Sequence, residues 1–116
     1  MARMLIHSAT GPENPTPAAL ALLIARTSVE EGHEVQVFLA GDAVHLADGE
    51  KAATTTGLGT GEVKEHLAAL QSAGLTIFLS GMSSKARGIE GGEGFELAPP
   101  QKLVKLARWA EKTLTY

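Results

Sequence analysis

The sequence predicts one α/β domain over residues 1–116, with helices on both sides of a mostly parallel central sheet of about five strands, in three layers. Two observations support this fold class. Short apolar segments typical of buried strands alternate along the chain with longer segments of helical periodicity. The length of 116 residues suits a single domain that buries about two thirds of its unfolded surface.

Composition argues against two kinds of partner, nucleic acids and membranes. A net charge of −3 and 4% aromatic residues provide neither the basic field nor the stacking surface that nucleic acids require. The apolar segments are too short to span a bilayer, and the N-terminus has no cleavable signal pattern, so we expect a cytoplasmic protein without membrane contact. With no cysteine, the chain has no thiolate and forms no disulfide.

The first third of the chain is expected to form a βαβ unit. Residues 4–6 form an apolar strand, and Thr16 is the expected N-cap of a helix with Pro17 at its first position. The helix should end near Glu31, and residues 34–39 form the second strand. Because residues 18–25 are apolar nearly all round, we expect this helix to be buried against the sheet and against another surface, such as a second subunit.

The middle of the chain is expected to contain a loop between two helices. Asp42 should cap a short helix that reaches Leu46. Residues 48–61 are small, polar and without periodicity, which favours a mobile loop beside the site. Val63, Leu67 and Leu70 repeat at helical spacing and predict an amphipathic helix over residues 61–73.

The last third of the chain should add strands and helices in alternation. Residues 75–79 form the third strand, residues 83–88 a short helix and residues 95–97 a fourth strand. Two prolines, at 99 and 100, then open a helix whose apolar residues share one face: Leu103, Leu106, Ala107 and Ala110. Residues 112–116 alternate polar and apolar and predict a fifth strand at the sheet edge, with a fraying extension of the helix as the alternative.

A candidate site follows the third strand. In open α/β sheets, ligands bind beyond the carboxyl ends of the strands. Ser80 and Ser83 stand there at the start of a helix, with Lys85 and Arg87 close by, which is typical of an anion pocket. The alternative is that the serines only cap the helix and that the cations are solvated.

Histidines supply a second kind of candidate. His7 and His45 follow the first and second strands, so both side chains are expected near the same crevice, where an imidazole serves as acid or base. Two histidines with Asp42 do not make a metal signature. We therefore predict no metal and no cofactor. His33 and His66 are expected to be exposed to solvent.

Three segments of the sequence resemble the DsrE/DsrF-like family of small sulfur-relay-related proteins: the first strand with residues 11–15, residues 37–44 and residues 80–89. The likeness covers nearly the whole chain. It implies a three-layer α/β fold and homo-oligomers, often trimers or hexamers, with sites near subunit contacts. In sulfur-transferring members a cysteine ends the third strand, eight positions before the glycine of an Arg-Gly-hydrophobic ending. Counted back from Gly88, that position is Ser80, and the position of a second cysteine in some relatives is Ser83.

The serine at this position leaves two hypotheses for function. A serine hydroxyl cannot carry sulfane sulfur, so sulfur transfer through a residue of this chain is not expected. The first hypothesis is a noncatalytic assembly or small-anion-binding subunit, with a possible role beside a sulfur-relay partner protein and a crevice formed by His7, Asp42, Ser80, Ser83 and Arg87. The second is an enzyme in which His7 or His45 acts as acid or base near Ser80.

Overall fold

The computed structural model describes residues 1–116 and contains one five-stranded sheet, in the order β6-β5-β2-β1-β7, with every neighbouring pair parallel. A separate antiparallel hairpin is formed by β3 and β4. The predicted fold class is confirmed, and residues 112–116 contribute the predicted edge strand. The strands are β1 (Arg3–Ser8), β2 (Glu34–Leu39), β3 (Thr56–Gly57), β4 (Gly61–Glu62), β5 (Ile77–Ser80), β6 (Phe95–Ala98) and β7 (Lys112–Thr115).

Five α-helices and one 3₁₀ helix connect the strands. They are α1 (Pro15–Glu30), the 3₁₀ helix (Gly41–Ala47), α2 (Gly49–Thr54), α3 (Val63–Ser72), α4 (Gly81–Arg87) and α5 (Pro100–Trp109). One face of the sheet packs with α1 and α3, and the other packs with α5. None of these helices combines the length and the apolar character needed to cross a bilayer.

Alternation along the strands divides the core between the two faces. Ile6, Val37 and Leu79 point toward the larger cluster with α1 and α3. Leu5, Phe38 and Phe78 point toward the smaller cluster with α5. Successive side chains of a strand face opposite sides, so the central strands are apolar on both. The uninterrupted apolar runs of β1, β2 and β5 are explained by this two-sided burial.

Most of the apolar surface of α1 is covered within the chain. Its buried residues face the sheet, α3 and the β3–β4 hairpin: Ala18, Ala19, Ala21, Leu22, Ala25 and Ser28. The many alanines let the hairpin approach closely, and a Cβ on Gly57 would lie 3.0 Å from that of Ala19. The second surface against which α1 is buried is therefore supplied by α3 and the hairpin, while Leu20, Leu23 and Ile24 remain half-buried.

The predicted start of α1 is wrong by two residues. The helix begins at Pro15, with Asn14 at the N-cap position, because Pro15 already meets the preference for proline in the first turn. Thr16 lies inside the helix, where its Oγ1 accepts a hydrogen bond of 3.2 Å from the backbone N–H of Leu58. Thr16, the residue expected to cap α1, thus bonds α1 to the β3–β4 hairpin.

The predicted loop over residues 48–61 is also wrong. Asp48 Oδ1 accepts hydrogen bonds from the backbone N–H groups of Glu50 and Lys51, at 3.0 and 3.4 Å, and α2 follows at once. Asp42 does not cap: the 3₁₀ helix is preceded by Ala40, and Asp42 lies in its first turn. A six-residue helix and a hairpin of two-residue strands are too short to show a period in the sequence.

Three elements, α3, β5 and α4, start at residues other than those predicted. Gly61 belongs to the hairpin, so α3 starts at Val63. The third strand of the sequence, β5, starts at Ile77 and not at residue 75. Helix α4 starts at Gly81 because Ser80, and not Ser83, precedes its first turn. On α5, Leu106 is buried as predicted, but Ala107 is exposed.

Candidate functional site

Strand β5 turns directly into α4 at Ser80. The Oγ of Ser80 accepts a hydrogen bond of 3.2 Å from the backbone N–H of Ser83. Small polar side chains at this position satisfy one of the free N–H groups that every helix start leaves. At the other end of α4, Gly88 adopts φ +68°, a left-handed conformation that favours glycine. The interpretation of Ser80 as a helix cap is therefore confirmed.

Two contacts join α4 to the 3₁₀ helix that follows β2. The Oγ of Ser83 accepts a hydrogen bond of 2.9 Å from the backbone N–H of Gly41. Arg87 donates from Nε to Asp42 Oδ1 at 3.0 Å and from Nη1 to the Ser83 carbonyl at 3.2 Å. These residues meet because β2 and β5 are adjacent and parallel. The structure thus brings together four of the predicted site residues, which we call the Ser80 crevice: Asp42, Ser80, Ser83 and Arg87.

The hydrogen-bonding capacity left in the Ser80 crevice consists of several donors and one free carboxylate oxygen, Asp42 Oδ2. The hydroxyl oxygens of Ser80 and Ser83 already accept from backbone N–H groups, which leaves both hydroxyl hydrogens free to donate. Arg87 Nη2 has no partner within the protein, and its side chain is 29% exposed. The neighbouring Asp42 carboxylate already neutralises part of the guanidinium charge. The crevice therefore presents hydroxyl and guanidinium donors to a small anion.

His7 lies apart from the Ser80 crevice. Its side chain is on the α5 side of the sheet, where its ring centroid is 6.3 Å from that of Phe38. Strand β2 separates it from Ser80, and strand spacings of about 4.8 Å laterally and 3.3 Å per residue place the two Cα atoms about 12 Å apart. Desolvation on burial lowers the pKa of the His7 imidazole below its usual value of 6.5.

The other histidines have structural partners. His45 Nδ1 lies 2.9 Å from Lys51 Nζ, and neither His45 nor His7 hydrogen-bonds to Ser80. The geometry that would favour a histidine-activated serine is therefore not found. The expectation that His33 and His66 are exposed is wrong: His66 is buried, and His33 is half-buried and accepts a hydrogen bond from the backbone N–H of Ala2.

Two further residues define the surroundings of the Ser80 crevice. Gly11 contacts the 3₁₀ helix so closely that a Cβ there would lie 2.0 Å from the Asp42 carbonyl oxygen. Its position after a strand, next to proline, is the sequence signal for such a turn. Ser84 is fully buried, and its hydroxyl has no hydrogen-bond partner. Ser84 therefore does not belong to the solvent-facing donor set.

The surface cavities of the chain lie away from the Ser80 crevice. None of the five cavities is lined by a residue of the crevice. The largest apolar one lies between α2, α3 and the start of β6. The Ser80 crevice of a single chain is accordingly a shallow surface site at the strand ends.

Comparison with known proteins places this architecture in a family. The model of the DsrE/DsrF-like family matches residues 2–116. The crystal structure of the YchN protein from E. coli superposes with a TM-score of 0.84 at 22% identity, covering 100% of both chains. A conserved protein of unknown function from Bacteroides thetaiotaomicron, BT1422, gives a TM-score of 0.73 at 16% identity, covering 99% of this chain and 95% of that one. No curated protein matches the chain.

Proposed function

This chain belongs to the DsrE/DsrF-like family, and we propose that it is a noncatalytic, small-anion-binding subunit of a homo-oligomer. The observation that carries the proposal is the donor set of the Ser80 crevice. The position of the sulfur-carrying cysteine in related proteins holds a serine whose oxygen accepts from a backbone N–H, and no imidazole is placed to activate it. A site of this kind can bind an anion but has no activated nucleophile.

Anion binding is supported by the way the donors are held. Ser80 and Ser83 are oriented by hydrogen bonds to the backbone, and Arg87 is fixed by two contacts. Donors that are already positioned lose little conformational freedom on binding. The exposed Lys85 ammonium, which takes part in no ion pair, adds positive charge near the same helix.

Assembly is supported by the incomplete cover of the sheet. Five strands at about 4.8 Å spacing span about 19 Å, whereas the single helix α5 is about 10 Å wide. Large apolar side chains remain exposed on α4, β6 and α5: Met82, Leu97 and Val104. Edge strand β7 is exposed along its whole length, and such edges invite pairing or cover.

Charge is distributed so that copies of the chain attract one another. Exposed glutamates lie on and before edge strand β6, at positions 90, 93 and 96, whereas every charged residue of α5 is a cation: Lys102, Lys105 and Arg108. A contact between unlike surfaces of two copies repeats head to tail, and it forms a closed ring when the rotation between successive copies allows it. This favours a trimer, or a hexamer of two such rings. A cysteine-bearing sulfur-relay protein is the heterologous partner that we propose for the assembled subunit.

Thiosulfate provides a test of the anion site. In a titration followed by ¹⁵N–¹H chemical shifts, with chloride at matched ionic strength as reference, we expect saturable changes confined to residues 40–43 and 80–88. Arg87→Gln should weaken binding about tenfold, the effect of losing a charged hydrogen bond. Arg3→Gln, at the amino end of β1 and away from the strand ends that form the crevice, should leave binding unchanged. Equal responses in both variants would contradict the proposal.

Sedimentation velocity tests the assembly. We expect a mass three or six times the 12.1 kDa of the chain. Reversing charge at β6 with Glu93→Lys and Glu96→Lys should shift the protein toward monomer, because like charges would then face α5. Combining these with Lys105→Glu and Arg108→Glu should restore assembly. A wild-type protein that stays monomeric at every concentration would rule out a homo-oligomer.

A further inference from the structure

The apolar groove between α2 and α3 is a second candidate binding site, formed with the C-terminal half of the 3₁₀ helix. It has a volume of about 400 Å³, within the range of small-molecule pockets, and seven of its ten lining residues are hydrophobic. It shares no residue with the Ser80 crevice. The lining residues include Leu46, Ala52, Lys64, Leu67, Gln71 and Phe95.

Short side chains on the facing helices create the groove. Gly49 and Ala53 line it from α2, and Ala68 lines it from α3. Its floor is continuous with the larger core cluster, to which Leu46 and Leu67 belong. An apolar ligand seated here would therefore contact side chains that are already desolvated, while it covers the exposed alanines of the walls.

The polar residues of the groove lie at its two ends. Lys64, Ala68 and Gln71 are spaced three and four residues apart on α3, so they share one face of the helix. The seven helical steps from Lys64 to Gln71 span about 10 Å. Lys64 takes part in none of the protein's three ion pairs, and no acidic side chain lines the groove. The two polar ends therefore differ: one is cationic and the other is a neutral amide.

We propose that this groove binds an amphipathic carboxylate, a molecule with a short acyl or aryl body and one anionic head. The body lies along Leu67 and Ala68 over the core, and the head pairs with the Lys64 ammonium. Lys64 suits this role because a lysine can lay its methylene stem along an apolar surface and keep its charge in water. The free amide of Gln71 can hydrogen-bond the far end of the ligand.

Octanoate is a suitable probe for the experiment, with the full chain and detection by thermal shift and ¹⁵N–¹H titration. We expect saturable shifts in α2 and α3 and a rise in melting temperature with octanoate concentration. Hexanoate should bind about tenfold more weakly, because two fewer methylene groups are buried. Octylamine, which has the same body and the opposite charge, should bind more weakly than octanoate.

Matched variants separate the head contact from the body contact. Lys64→Gln should weaken octanoate binding about two- to fivefold, as expected for a partly exposed ion pair. Ala68→Leu should fill the groove and abolish binding, with circular dichroism confirming that the variant is folded. Arg3→Gln, at the exposed start of β1 and outside the groove, should bind octanoate like the wild type.

Three results would overturn the proposal. Equal binding of octylamine and octanoate would show that Lys64 selects no head group. Undiminished binding by Ala68→Leu would place the ligand elsewhere. A fall in sedimenting mass on addition of octanoate would show that a second copy of the chain occupies the groove. A negative thiosulfate titration would leave this proposal standing, since the two sites share no residue.

Discussion

A glycine is required at position 11 because the backbone of Asp42 lies directly against it, and not because its own backbone conformation is unusual. Its would-be Cβ lies 2.0 Å from a backbone oxygen, that of Asp42, which cannot move aside as a side chain can. We predict that Gly11→Ala lowers the free energy of unfolding by about 1–3 kcal/mol, the range for overpacked sites. Urea denaturation measures the change.

Gly49→Ala is the matched control for that substitution. At Gly49 a Cβ meets nothing within 4 Å, and the backbone has no positive φ. Alanine is the better helix former, so the control should be neutral or more stable by up to about 1 kcal/mol. Equal destabilisation by the two substitutions would show that the contact with Asp42 is not the cause.

His7 gives the protein a predicted dependence of stability on pH. Because the pKa of its imidazole is lowered in the folded state below 6.5, the unfolded chain binds more protons in the interval just below 6.5. The stabilising contribution of neutral His7 is therefore complete above about pH 6.5. It is lost as the pH falls through the folded-state pKa.

Denaturation curves between pH 5 and pH 8 test this dependence. The wild type should lose more stability on acidification than His7→Gln does, because glutamine does not titrate. Parallel slopes for the wild type and His7→Gln would mean that His7 is not the group responsible.

At the scale of elements, the β3–β4 hairpin is held to the helices by His66. The Nε2 of His66 lies 2.8 Å from the Thr60 carbonyl oxygen, and its Nδ1 lies 3.5 Å from Arg26 Nη1. The geometry fits a neutral ring that donates to Thr60 and accepts from Arg26. A single buried side chain thus connects the hairpin, α3 and α1.

Replacing His66 should loosen the hairpin selectively. His66→Leu leaves the Thr60 carbonyl without its donor, so we predict a loss of about 1–3 kcal/mol in the free energy of unfolding. Amide hydrogen exchange over residues 56–62 should accelerate, while the central strands remain protected. His33→Leu, outside the hairpin, should leave that exchange unchanged. Amide exchange that becomes faster along the whole chain would show that His66 stabilises the whole fold and not the hairpin in particular.

The Ser80–Gly88 segment shows what the sequence reveals about an element and what it does not. A serine after an apolar strand predicts a helix cap, and the glycine eight residues later predicts the helix end; both are found. The ion pair between Arg87 and Asp42 was not predicted. It depends on β2 and β5 being neighbours, which the order of strands along the chain does not state.

For the whole molecule, the parallel α/β architecture was predictable because strand and helix periods alternate along the chain. The order β6-β5-β2-β1-β7 was not, because it is set by which helices cover which face. The burial of His66 was not predictable for the same reason, because it depends on how distant segments pack. Its polar side chain suggests exposure, yet the hairpin folds over it and supplies a carbonyl partner. Burial of a polar group depends on partners distant in sequence.

The sequence by itself determined that this protein has no thiol chemistry of its own, that its helices and strands alternate, and that a serine ends β5. These are local properties, set by residue type and by the period of apolar side chains. Only the tertiary structure decided that four residues from two strand ends form the Ser80 crevice, that His7 lies apart from them, and that α3 and the hairpin pack against α1. Each depends on distances between segments far apart in the sequence, and only the packing of the sheet and its helices determines those distances.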